Sequence, residues 1–173
     1  MNNHLIDISN AALSWYFINS KIVVEKTDYT NIHFLDKIYS CLLWEEKISS
    51  NKKERHLMLL NKNHFKNYNR IKLYNWFEDW NNNAFVHFQA ILKNNVNYKL
   101  DDIIYLFWMK EISMKLTWSL FIKYWPDFLY DDEGVIIINN NSKDILLFSN
   151  GESWILRLHT NTADISTEHC VTP

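Results

Sequence analysis

Two glycines, two prolines and two cysteines in 173 residues leave this chain without several kinds of chemistry. Scarce glycine excludes the phosphate-cradling loops and dinucleotide fingerprints, which need backbone that a Cβ would obstruct. Turns must then fall to the abundant Asn and to Asp and Ser, the residues that best tolerate left-handed backbone. Cys41 and Cys170 match no metal-ligand or redox spacing and read as reduced thiols of a cytosolic protein. The seven His include no pair three or four residues apart, although His56, His64 and His87 are free to meet in space. No Gly-x-Ser-x-Gly, Cys-x-x-Cys or Walker sequence occurs. The expectation is a protein that is not an enzyme, with no catalytic, cofactor-binding or metal-binding residues.

Long apolar runs are missing too. The longest, such as residues 103–109, are too short to span a bilayer, and the first seven residues lack the basic and apolar regions of a signal peptide. A cytoplasmic protein without membrane contact is expected. A formal charge of −2 and a pI near 6.4 supply no global basic field for a phosphate backbone, so nucleic acid is not an expected direct partner.

What the chain does hold is apolar bulk. Hydrophobic residues make up 47% and aromatics 16%, including 8 Trp, 9 Tyr and 10 Phe, enough for an aromatic core without disulfides or metal. Residues 1–158 read as one globular domain and 159–173 as a polar tail.

The most legible stretch runs from Thr117 to Leu158. Trp118, Phe121, Ile122, Trp125, Phe128 and Leu129 form one apolar stripe at helical spacing, with Thr117 as N-cap and Ser119, Lys123 and Asp127 on the other face. Pro126 predicts a kink or break after Trp125. Beyond Gly134, residues 135–138, 145–148 and 154–158 read as three strands, and Asn150-Gly151 predicts a type I′ hairpin turn. Residues 103–109 read as a central strand buried on both faces.

Earlier signals are weaker. Residues 14–19 suit a strand, and 21–24 a second one pairing with it. A helix is predicted from Phe34 through Leu35, Ile38, Cys41 and Leu42 to Trp44, capped by Asn31. Residues 56–60 fit a buried strand or a helix end. Residues 70–94 read as two helices joined at Asn81-Asn82-Asn83. The expected fold is α+β: an antiparallel or mixed sheet with a C-terminal three-stranded meander and helices packed on one face. The expected core is Trp15, Phe17, Leu35, Leu42, Ile104, Leu106, Trp118, Phe121, Trp125, Ile137, Leu147 and Ile155.

Carboxylates cluster at Glu45-Glu46, Glu78-Asp79, Asp101-Asp102 and Asp131-Asp132-Glu133. Solvated faces and helix ends explain most such clusters. Two carry flanking aromatics that suit a docking surface: Tyr130, Asp131, Asp132 and Glu133, and Trp76, Glu78, Asp79 and Trp80.

The run Thr117-Trp118-x-x-Phe121-x-x-x-Trp125-x-x-Phe128-Leu129-x-x-Asp132-Glu133-Gly134, with the strand after it, resembles an uncharacterised domain family of gammaproteobacterial proteins. Glu133 stands where that family's pattern has a second Asp, and the family has no assigned catalytic residues to transfer. By type, this small, acidic, glycine-poor and Asn-rich chain is also similar to the immunity proteins of contact-dependent growth inhibition and related polymorphic toxin systems. That resemblance implies a one-to-one inhibitor of a cognate toxin domain, commonly a nuclease, whose basic substrate groove its carboxylates would face. The alternative expectation is a small enzyme or ligand-binding domain with a pocket between sheet and helices.

Overall fold

The computed structural model describes residues 4–7, 21–129 and 134–158. The strand expected at 14–19 with its rings Trp15 and Phe17, the run Tyr130, Asp131, Asp132 and Glu133, and the tail 159–173 lie outside the described residues. Among the described residues there are eight strands: β1 (Leu5–Asp7), β2 (His33–Leu35), β3 (Tyr68–Asn75), β4 (Ile103–Met109), β5 (Ile112–Thr117), β6 (Val135–Asn139), β7 (Ile145–Ser149) and β8 (Glu152–Leu158). The helices are α1 (Lys37–Lys47), α2 (Trp76–Asn81), α3 (Phe85–Asn95) and α4 (Trp118–Phe128). The strands form one sheet in the order β1-β2-β5-β4-β6-β7-β8-β3. Every pairing is antiparallel, and β6, β7 and β8 form the expected meander.

β4 lies between β5 and β6, which explains its unbroken apolar sequence. Ile104, Leu106 and Trp108 enter one core with Phe88 of α3 and Trp118, Phe121 and Trp125 of α4. Tyr105 and Phe107 enter another on the opposite face with Leu43 and Trp44 of α1. The expectation of helices on one face therefore holds for α2, α3 and α4, while α1 and the chain after it cover the other. The cause is in β6 and β7, whose residues are buried on both sides. A sheet apolar on both faces cannot leave either one to water.

α4 starts where the sequence places it, with Thr117 Oγ1 accepting the Leu120 N–H. Its break falls at Tyr124 (φ −115°, ψ 19°), one residue before the expected place. Pro126 removes its own N–H and crowds the carbonyl four residues back, so the turn preceding Trp125 yields. Asn150 (φ 51°) and Gly151 (φ 78°) make the expected hairpin turn with positive φ at both positions.

Of the described core expectations, Leu35, Ile104, Leu106, Trp118, Phe121, Trp125, Ile137, Leu147 and Ile155 are buried, whereas Leu42 is 58% exposed. The error is one of phase. Phe34 and Leu35 belong to β2, and α1 is capped by Asp36, whose carboxylate accepts the Tyr39 N–H, rather than by Asn31. A stripe counted from a strand residue does not continue into a 3.6-residue repeat, so the buried face is Ser40, Leu43 and Trp44.

Further corrections concern non-local pairing. Ile71 and Tyr74 lie in β3, hydrogen-bonded to β8, not in a helix. Trp76 opens α2, and the expected Asn turn to α3 is present with Asn83 at φ 54°. Residues 21–24 form no strand, 57–59 form a single 3₁₀ turn, and 112–117 form a hairpin with β4 that no sequence signal marked. Among the described residues no helix is long and apolar enough to cross a membrane.

Candidate interaction surface

α2 is held by its two tryptophans. The Trp76 indole N–H donates to the Glu152 carbonyl (3.2 Å), and its ring meets Trp125 edge-on. The Trp80 indole N–H donates to the Pro126 carbonyl (2.9 Å), while the Lys21 ammonium lies 3.8 Å over the Trp80 ring. With positions 76 and 80 turned inward, position 77 must turn outward. Phe77 is half exposed, stacked parallel to Trp80, and rests on the β7–β8 turn. A Cβ added at Gly151 would come within 2.7 Å of the Phe77 Cβ, so the close seating of Phe77 depends on that glycine.

The two carboxylates of α2 have different fates. Glu78 is exposed. Asp79 is buried, and its carboxylate faces the His87 Nδ1 (3.0 Å) and accepts the Tyr74 hydroxyl (3.3 Å). Of the four α2 residues selected from sequence, Trp76 and Asp79 are buried supports, Trp80 is half-buried against the core, and Glu78 is exposed. Phe77 was missed; its signal was the outward position between two inward tryptophans.

The structure brings this helix to the end of α4. Trp80 binds Pro126, and the Trp108 indole N–H donates to the Phe128 carbonyl (2.9 Å). The chain leaves at Leu129 and returns at Gly134, which packs on Leu57 beside the Phe148 carbonyl. The next residues of the 3₁₀ turn, Met58 and Leu59, are exposed, and the Ser149 hydroxyl contacts the Met58 sulfur. The start of β6, the β7–β8 turn and the end of β3 thus share one end of the sheet with α2.

Beside this surface, residues 21–28 are strapped across α4. The buried Asp127 carboxylate accepts the Lys21 and Ile22 N–H groups, and the Tyr124 hydroxyl donates to Asp28 (2.7 Å). Lys123 bridges Glu25 and Asp28, both at 2.9 Å. Asp127 was expected on the face opposite the apolar stripe; it is buried there because the strap's N–H groups need an acceptor.

Burial pushes the Asp127 carboxyl up to about 6, against the lowering effect of the Lys21 and Ile22 N–H groups. The folded chain then holds this proton more tightly than the unfolded chain. The group's stabilising contribution is full below the unfolded value of 3.8 and is lost as pH rises through about 6. Asp127→Asn is expected to remove this component. Urea unfolding from pH 4 to 7 should show the variant gaining on the wild type as pH rises, and parallel profiles would contradict the assignment.

Among the described residues His64 and His87 do not meet. His87 of α3 faces Asp79 of α2, while His64 lies 3.7 Å from Glu54 beside Phe65, which packs into the core of the opposite sheet face. Among the described residues no three His, Cys, Asp or Glu side chains are grouped to hold a metal ion.

The profile of a family described as "Protein of unknown function (DUF2947)" matches residues 5–155. The match extends far beyond the last third of the chain, where the sequence motif lies. No curated protein and no solved structure matches the chain.

Proposed function

The chain belongs to the DUF2947 family, and from its own surface we propose that it is an immunity-type binding protein that neutralises a cognate toxin domain, one to one. The observation that carries this reading is the exposure of the apolar side chains Phe77, Met58 and Leu59, together with the Glu78 carboxylate, at one end of the sheet. Aromatic and Met anchors within a charged rim are the composition of a protein interface rather than of a solvated face. A nuclease presents Lys, Arg and His where phosphates bind, and carboxylates facing that groove add both steering and contact energy.

The test is co-expression and calorimetric titration with the product of any toxin-like gene adjacent to its own. A one-to-one complex whose affinity falls with salt is expected. Phe77→Ala should weaken it by about 2 kcal/mol, roughly thirtyfold, as for a central anchor. Persistent toxicity with no complex would refute the proposal.

A second reading, a small enzyme or ligand-binding domain, draws on Tyr74, Asp79 and His87. The Asp79 carboxylate at the His87 Nδ1 would fix the ring's tautomer and leave Nε2 as a base, with the side chain 58% exposed. Among the described interactions no Ser, Thr or Cys joins this group. His87→Gln should leave toxin neutralisation intact under the first reading, and would abolish activity under the second.

A further inference from the structure

Charge is unevenly distributed along the chain. Residues 52–72 hold seven Lys and Arg against one carboxylate, while the rest holds 11 against 19. That carboxylate, Glu54, is buried and accepts the Ser49 hydroxyl (2.6 Å) and the Asn61 N–H (3.2 Å). Arg55 and Lys72 are paired with Glu111 and Glu152, and Arg70 lies over the Trp154 ring. The exposed lysines 52, 53, 62 and 66 lie in the same segment.

Where this segment enters β3 there is a cleft of about 260 Å³, bounded by Lys47 in the last turn of α1, Tyr68 of β3 and the β6–β7 turn. It opens at the end of the sheet opposite α2, because β6 finishes there and β3 begins there. Ile138 and Ile145 contribute apolar walls, and Asn140, Ser142 and Lys143 offer donors. The one lining carboxylate, Asp144, already takes the Arg157 guanidinium (3.4 Å). Lys143 has no ion-pair partner among the described residues, and Lys47 pairs only with surface Glu46 (2.8 Å). Lys47 also offsets the partial negative charge of the α1 C-terminus that would otherwise repel an anion.

We propose that this cleft binds a small phosphate ester, its phosphate between the Lys47 and Lys143 ammonium groups and its organic part against Tyr68 and the isoleucines. Two mobile ammonium groups with hydroxyl and amide donors suit a compact tetrahedral anion. The volume lies just below the ~300 Å³ of the smaller ligand pockets, room for a phosphate with a sugar-sized group. Burial raises the Tyr68 phenol above its ordinary value. The site lies away from the toxin-facing surface, and neither proposal depends on the other.

The experiment uses the full chain with ribose 5-phosphate, inorganic phosphate, ribose and a single-stranded oligonucleotide as probes, read by calorimetry and thermal shift. Ribose 5-phosphate should bind at one per chain and more tightly than inorganic phosphate, with ribose silent. Lys143→Gln and Lys47→Gln should each weaken it about tenfold without lowering the melting temperature, and Lys62→Gln, outside the cleft, should change it little. No binding of either phosphate, or equal binding by Lys143→Gln, overturns the proposal. Preferential binding of the oligonucleotide also overturns it, in favour of a nucleic-acid surface.

Discussion

Trp118→Ala is expected to cost about 3 to 5 kcal/mol, a large share of the ~5 to 15 kcal/mol that stabilises an ordinary domain. The indole is 1% exposed, stacked on Phe121 at 5.3 Å and met edge-on by Tyr98 at 5.2 Å. It is the first residue of α4, directly after the Thr117 cap, so truncation leaves a cavity where helix and sheet meet. Neighbouring rings are too bulky and too mutually packed to collapse into the space, which places the cost in the upper range for large-to-small substitutions. Urea unfolding measures it, and a variant with the wild-type midpoint would contradict the packing.

Asp102→Ala is the second large effect, about 2 to 4 kcal/mol. Its buried carboxylate accepts amide protons from Asn139 (2.9 Å) and Asn141 (2.8 Å) and the Lys99 N–H (2.9 Å). The Asp102 carbonyl also accepts the Trp118 N–H, so one residue joins the loop before β4, the β6–β7 turn and the start of α4. Truncation would leave the buried Asn139 amide and the Lys99 N–H without their acceptor, a greater loss than the bonds' net worth in water. The Asn141, Asn139 and Lys99 donors hold the Asp102 carboxyl below its usual value of 3.8. Its contribution is therefore present above pH 3.8 and lost as pH falls through the lower folded value. Asp102 and Asp127 thus act in opposite directions, and an acid titration of Asp102→Ala should lack part of the wild-type loss below pH 4. A profile unchanged in that window would rule out this role.

The acidic pairs show how far sequence reasoning reaches toward a site. Glu78 and Asp79 are adjacent and alike in charge, yet one is solvated and the other buried against His87 and Tyr74. Asp101 and Asp102 divide in the same way. Neighbours on a short helix or at a strand entrance point in different directions, so a cluster in sequence is rarely a cluster on the surface. Phe77 was hidden for a related reason: a phenylalanine reads as core until the inward positions of its helix are known.

Sequence by itself determined the α4 stripe and its Thr117 cap, the strands from 135 to 158, the Asn150-Gly151 turn and the doubly buried β4. Each is a local pattern whose period or backbone requirement admits one conformation. Only the tertiary structure decided that Ile71 and Tyr74 are strand, that 112–117 pairs with β4, that α1 covers the second face and that Asp127 holds residues 21 and 22. It alone brought α2 against the end of α4. These depend on partners up to a hundred residues away, and pairing energy outweighs intrinsic preference that differs by less than about 1 kcal/mol per residue.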